Sequence, residues 1–263
     1  MNVVDAHIHL DQYEKELRNE HLVRAKAMGL KHLVAVSMNL SSSQVTCELA
    51  AEYGQLIMPA YGFHPEQPLP KTEDLHRLIE WIRERASRNE RFAIGEVGLP
   101  YYRRREYEER GEPFKLQPYV DLLEQFIILA KELDCPIVLH AVYEDASIAC
   151  SLLQKHQMER AHFHWFKGDE ATIQTMIRQG YYISITPDVC YEPEIQTLVK
   201  QYPLELMMVE TDGPWPYEGP FQGRSTESAM VVQVVEKIAS ILGKSSEVVA
   251  DQLFHNSKKL YRL

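Results

Sequence analysis

Along the chain, short runs of continuous apolar or small residues alternate with longer stretches in which apolar side chains recur every three or four positions. The short runs are Val3–Ile8, His32–Val36, Ile57–Phe63, Phe92–Val97, Pro136–His140, Ala161–Trp165, Tyr181–Ile185 and Leu206–Glu210. They are too short for helices, and several lack polar alternation, which suits strands buried on both faces of a parallel sheet. Between them, Leu75, Leu78, Ile79 and Ile82 keep helical spacing, as do Leu122, Leu123, Phe126, Ile127, Ala130 and Leu133. Ser41, Ser42 and Ser43 offer an N-cap to a helix over Val45–Tyr53. Two helices, at about Thr226–Leu242 and Ser246–Leu260, close the chain. Eight strands alternating with helices predict one (β/α)8 barrel domain over residues 1–263. An open doubly wound sheet competes, but no strand is followed by the G-x-G-x-x-G turn of a dinucleotide site. No linker, low-complexity stretch or sequence repeat interrupts the pattern. Pro100–Pro118 and Gly213–Ser225, rich in Pro, Gly or charge, read as irregular loops after strands four and eight.

Composition narrows the field. With 45% hydrophobic and 25% charged residues the chain is of globular type. Its 28 Lys and Arg against 38 Asp and Glu give a net charge of −10. That balance argues against a broad basic footprint for duplex DNA or anionic lipid, and leaves room for a small, local phosphate site. The segment Met1–His7 has neither a basic nor an apolar region of signal-peptide type, and no apolar run is long enough to span a bilayer. Cys47, Cys135, Cys150 and Cys190 are scattered, with no C-x-x-C pair. Reduced thiols and a cytoplasmic location are the expectation.

The histidines change the picture. His7 and His9 end the first strand two residues apart, so their imidazoles face one side. Such a pair can chelate a borderline metal or be two satisfied strand-end histidines. His64 follows the third strand, Glu96 ends the fourth, His140 the fifth, His164 the sixth and Asp212 the eighth. In a (β/α)8 barrel these ends meet at one mouth, where active sites lie. Burying so many polar side chains unpaired costs several kcal/mol each, so packing alone does not explain them. The set is large enough for two divalent ions, with Glu96 as the bridging carboxylate. His7, His9 and Asp212 would complete one site, and His140 and His164 the other. A water shared by such ions loses its proton near neutral pH, and Asp212 is placed to act as proton acceptor.

Six motifs in order, D-x-H-x-H-L from Asp5, G-x-H-P from Gly62, G-E-V-G-L from Gly95, P-I-V-L-H from Pro136, H-x-F-x-G from His164 and E-T-D-x-P from Glu210, resemble the TatD family of metal-dependent hydrolases. The resemblance runs from Asp5 to Asn256. It implies an amidohydrolase-type barrel, a divalent-metal site of zinc, manganese or magnesium, and hydrolysis of phosphodiester bonds, in several members as a 3′–5′ deoxyribonuclease. It implies His7, His9, Glu96, His140, His164 and Asp212 as ligands and His64 as an extra histidine near substrate phosphate.

The chain departs from the usual family form at three places: Pro100 stands for an acid, Val142 for an arginine, and Gly223–Ser228 for a G-K-x-N-E-P-like segment. These bear on substrate more than on metal, since an arginine at the mouth is a bidentate phosphate partner. Lys167 and the Tyr101–Tyr107 segment, Arg103 foremost, are candidate replacements that mix cations with stacking rings, as a single nucleic-acid strand requires. The acids from Glu106 to Glu112 make a solvated charged loop the competing reading. Asp5 and Glu210 are candidates to orient the imidazoles, with ordinary buried hydrogen bonds the alternative. The expected partner is a phosphoester, single-stranded DNA or a small nucleotide, with no membrane and no obligate protein partner. The rival activities are hydrolysis of a small ester, lactone or amide, and a metal-binding regulatory protein without turnover.

Overall fold

The structure, a computed structural model, describes residues 1–263. Eight parallel strands follow one another around a nearly closed barrel in sequence order. They are β1 (Val3–Ile8), β2 (Leu30–Ala35), β3 (Ile57–Tyr61), β4 (Ala93–Gly98), β5 (Ile137–His140), β6 (Ala161–Phe163), β7 (Tyr182–Ile185) and β8 (Met207–Val209). Outside them lie α1 (Lys15–Ala27), α2 (Leu40–Tyr53), α3 (Thr72–Ser87), α4 (Tyr101–Glu109), α5 (Gln117–Glu132), α6 (Glu144–Lys155), α7 (Glu170–Gln179), α8 (Pro193–Gln201), α9 (Val231–Leu242) and α10 (Ser246–Tyr261). The open doubly wound sheet is thereby excluded.

The seam between β8 and β1 is made by residues just beyond the end of β8. The Asp212 amide donates to the His7 carbonyl at 2.9 Å, and the His9 amide to the Gly213 carbonyl at 2.8 Å. Asp5 reinforces the seam by accepting from the Thr211 amide at 3.0 Å and the Thr211 hydroxyl at 2.6 Å.

Two apolar layers hold the barrel. The larger packs strands against helices. The smaller gathers Val34, Met58, Ala93, Val138, Tyr182 and Met208, one each from β2, β3, β4, β5, β7 and β8. Side chains from so many strands meet only inside the ring, so this cluster is its floor. Leu260 and Tyr261 of α10 pack against it. Asn256, on the same helix, donates to the carbonyls of Leu204 and Met207, both at 2.7 Å, and so fastens α10 to the start of β8.

Several sequence-based expectations are corrected. Residues 100–118 are not a plain loop, because Tyr101–Glu109 is the helix α4. No residue of α4 is buried, so it has no apolar stripe for periodicity to detect. The cap of α2 is Asn39, which accepts from the Ser42 amide, rather than the serine run. Helix α9 begins at Val231, and Thr226 instead accepts the Tyr13 hydroxyl through its carbonyl. Strands β3, β6 and β8 stop early, so His64, His164 and Asp212 sit on the first loop residues beyond them. His21 of α1 is buried, its ring edge-on to Tyr13.

Candidate metal centre at the barrel mouth

Glu96 is fully buried at the end of β4, and each of its carboxylate oxygens faces a different set of imidazoles. Oε2 lies 3.0 Å from His7 Nε2 and 3.3 Å from His9 Nε2. Asp212 Oδ1 joins this group, 3.3 Å from His7 Nε2 and 3.5 Å from His9 Nε2. Oε1 lies 2.7 Å from His164 Nε2, 3.0 Å from His140 Nδ1 and 3.3 Å from His64 Nε2. His140 Nδ1 and His164 Nε2 are themselves 3.0 Å apart.

These spacings carry chemical meaning. Two ligand atoms each about 2.1 Å from a common ion, at tetrahedral or octahedral angles, are about 3.0–3.4 Å apart. The Glu96–Asp212 group falls on that edge length although its atoms are not aligned on one another. His7 Nε2, Glu96 Oε2 and Asp212 Oδ1 are buried without a hydrogen-bond partner. Buried polar atoms left so are rare and point to an unseen partner. Ligand atoms from His7, His9 and Asp212, and from Glu96, His140 and His164, gather closely enough to hold a metal ion. The donors fit a divalent cation.

Electrostatics agree. Burial alone would raise the Glu96 carboxyl, but His164, His64 and His7 hold it well below the usual range. Asp212 is likewise held down, against burial, by His7 and His164. Burial and His164 disfavour charge on His7, yet the two carboxylates lift it to about 9. His164 is pushed well above its ordinary value, against burial, by Glu96 and Glu210. The carboxylates thus demand positive charge, which imidazole protons or a metal ion can supply.

His64 behaves differently. Burial pushes it down and keeps it neutral. The Glu66 amide donates to its Nδ1 at 3.2 Å, so the ring proton sits on Nε2. That nitrogen is a donor rather than a lone pair for metal, which suits a hydrogen bond to a substrate oxygen. Glu66 itself, absent from the sequence-based candidates, places Oε1 3.1 Å from His140 Nε2. A lone acid after Pro65 gave no periodic or motif signal.

The imidazole-orienting candidates divide. Glu210 Oε1 accepts the Trp165 amide at 2.7 Å and lies 3.6 Å from His164 Nδ1. Asp5 bonds to Thr211 and the His7 backbone and to no imidazole, so it serves the seam.

The group opens into a cavity of about 550 Å³, lined at its rim by Tyr102, Arg103, Glu106, Val142, Trp165 and Trp215. Arg103 places its guanidinium 5.5 Å from the Tyr107 ring centre. Lys167 stands over Trp165, Nζ 5.6 Å from the ring centre, and borders a neighbouring groove rather than this cavity. No helix is long and apolar enough to cross a membrane.

Residues 4–262 match the family described as TatD related DNase. The chain is 40% identical over 259 residues to an uncharacterised metal-dependent hydrolase of Haemophilus influenzae, covering 98% of this chain and 99% of that one. It is 31% identical over 270 residues to the Homo sapiens deoxyribonuclease TATDN3, covering 99% and 95%. Among solved structures, the TatD homologue YJJV of Escherichia coli superposes with a TM-score of 0.83 at 21% identity, covering 99% and 98%, a likeness of fold. The chain belongs to the TatD family of metal-dependent hydrolases.

Proposed function

We propose that the protein hydrolyses phosphodiester bonds, in single-stranded DNA or a small nucleotide, using two divalent ions. The observation that carries this reading is the division of Glu96, whose Oε2 faces His7 and His9 while Oε1 faces His140 and His164. Divalent ions held by these residues would make a water more acidic and offset charge developing at phosphorus. The imidazole-rich donor set favours zinc or manganese over magnesium.

The chain's own residues divide the remaining work. Glu96 Oε1 holds His140 and His164, while Glu96 Oε2 and Asp212 Oδ1, unpaired beside His7 and His9, are left free to hold an ion. Asp212, held ionised, accepts the proton released as water attacks. His64 Nε2–H donates to a phosphate oxygen. Tyr102 and Trp215, 46% and 56% exposed at the rim, offer faces on which bases stack, with Arg103 beside them as a phosphate cation.

A second reading, a small ester or lactone substrate, is favoured by Val142, Glu66 and Glu106 lining the same cavity. They make the wall less suited to an extended polyanion. The test compares single-stranded DNA, bis-p-nitrophenyl phosphate and a lactone panel, before and after EDTA and after reloading with zinc, manganese or magnesium. Chelation is expected to abolish phosphodiester hydrolysis and reloading to restore it. Turnover of lactones alone selects the second reading, and bound metal without turnover of any substrate rejects both.

A further inference from the structure

Glu66 makes three contacts that nothing else in the molecule makes together. Its Oε1 faces His140 Nε2 at 3.1 Å. The same oxygen accepts the Tyr102 amide at 2.9 Å, and Oε2 accepts the Arg103 amide at 2.7 Å. Those are the first amides of α4, which have no partner within the helix. The residue at its N-cap is Pro100, which provides no side-chain cap. A carboxylate at that end also meets the positive pole of the helix.

Helix α4 depends on such tethers. It buries no residue, and its main fastening besides Glu66 is Arg104, which reaches buried Asp145 at 2.7 Å and Glu144 at 3.1 Å. Yet α4 supplies Tyr102, Arg103 and Glu106 to the cavity rim. Because the Glu66 carboxylate has no proton to give when ionised, His140 must donate Nε2–H to it. In the neutral ring that a metal requires, this leaves Nδ1, the nitrogen beside Glu96 and His164, with its lone pair directed into the centre. One side chain therefore fixes both the tautomer of an imidazole and the wall against which substrate would lie.

We propose that Glu66 is a positioning residue that couples metal occupancy at His140 to the placement of α4. The inference rests on the reading of His140 as a ligand. When metal locks the His140 ring, Glu66 is held in turn, and its hold on the Tyr102 and Arg103 amides tightens. By the reciprocity of linkage, substrate contacts on α4 strengthen metal binding at His140.

The test measures zinc affinities by chelator competition and amide hydrogen exchange at Tyr102 and Arg103, in wild type, Glu66→Ala, Glu66→Gln and His140→Ala. Loss of a group that orients a ligating histidine typically weakens metal by about 10–100-fold. The expected result is that both Glu66 variants weaken one of two zinc affinities by that factor and leave the other within about twofold. Zinc should slow exchange of the two amides in wild type and leave it unchanged in Glu66→Ala. Unchanged affinities in the Glu66 variants, with one lost in His140→Ala, overturn the coupling alone. So does an equal fall in both affinities, which marks general loosening. Retention of both affinities in His140→Ala overturns the ligand assignment and the coupling with it.

Discussion

Two groups of buried polar side chains lie in this barrel, and they differ in whether their hydrogen bonds close. Around His162 every proton has a destination. His162, itself fully buried and held neutral by burial, accepts from the Tyr261 hydroxyl at Nδ1 and donates from Nε2 to Ser184 Oγ. Ser184 passes its proton to Glu210 Oε2, and Glu210 Oε1 takes the Trp165 amide. The chain runs in one direction with no atom over, so it acts as mortar. At the neighbouring mouth His7, equally buried, has neither ring nitrogen paired, and Glu96 Oε2 and Asp212 Oδ1 are bare. Burial and residue type are the same in the two groups. Incomplete satisfaction is what separates a binding centre from a structural network.

That contrast can be tested from its strongest side. Glu96→Gln should lower kcat on bis-p-nitrophenyl phosphate by about 10³-fold or more, the scale of losing a central charge in a reaction centre. Without metal it should also cost stability in urea at pH 7, since the carboxylate offsets the charge on His7 and His164. Zinc should stabilise the wild type and not the variant, and equal stabilisation of both would place Glu96 with the mortar. Tyr261→Phe should touch stability alone. It strands His162 Nδ1 and should cost about 1–3 kcal/mol in urea unfolding, with kcat within about twofold. The smallest effect belongs to the rim. Trp215→Ala should raise KM for single-stranded DNA about 5–10-fold, the worth of one base stacked on an aromatic ring, and barely change that for the small chromogenic ester. Equal effects on both substrates would remove Trp215 from substrate contact.

The sequence made the barrel and its mouth legible because both rest on short-range rules. Apolar runs mark strands buried on both faces, and His7, His9, Glu96, His140, His164 and Asp212 sit at or just past their ends. What stayed hidden depends on contacts between distant segments. Helix α4 buries no residue and is pinned by Glu66 and by Asp145, 36 to 41 positions away from the residues they hold. Its helical state follows from those tethers and not from its own pattern. Glu66 and Asp5 look alike as isolated acids beside histidine motifs. Only the fold shows that one reaches an imidazole while the other closes the seam.

The seam has a consequence for synthesis. Thr211 lies 206 positions after Asp5, and the bonds that join them also bring Asp212 beside His7. At about 5–20 residues per second, a ribosome releases the two halves of this centre tens of seconds apart. Until β8 arrives, the growing chain carries His7 and His9 without the Asp212 carboxylate. The reactive centre therefore cannot be completed before β8 closes the ring, with α9 and α10 still to follow.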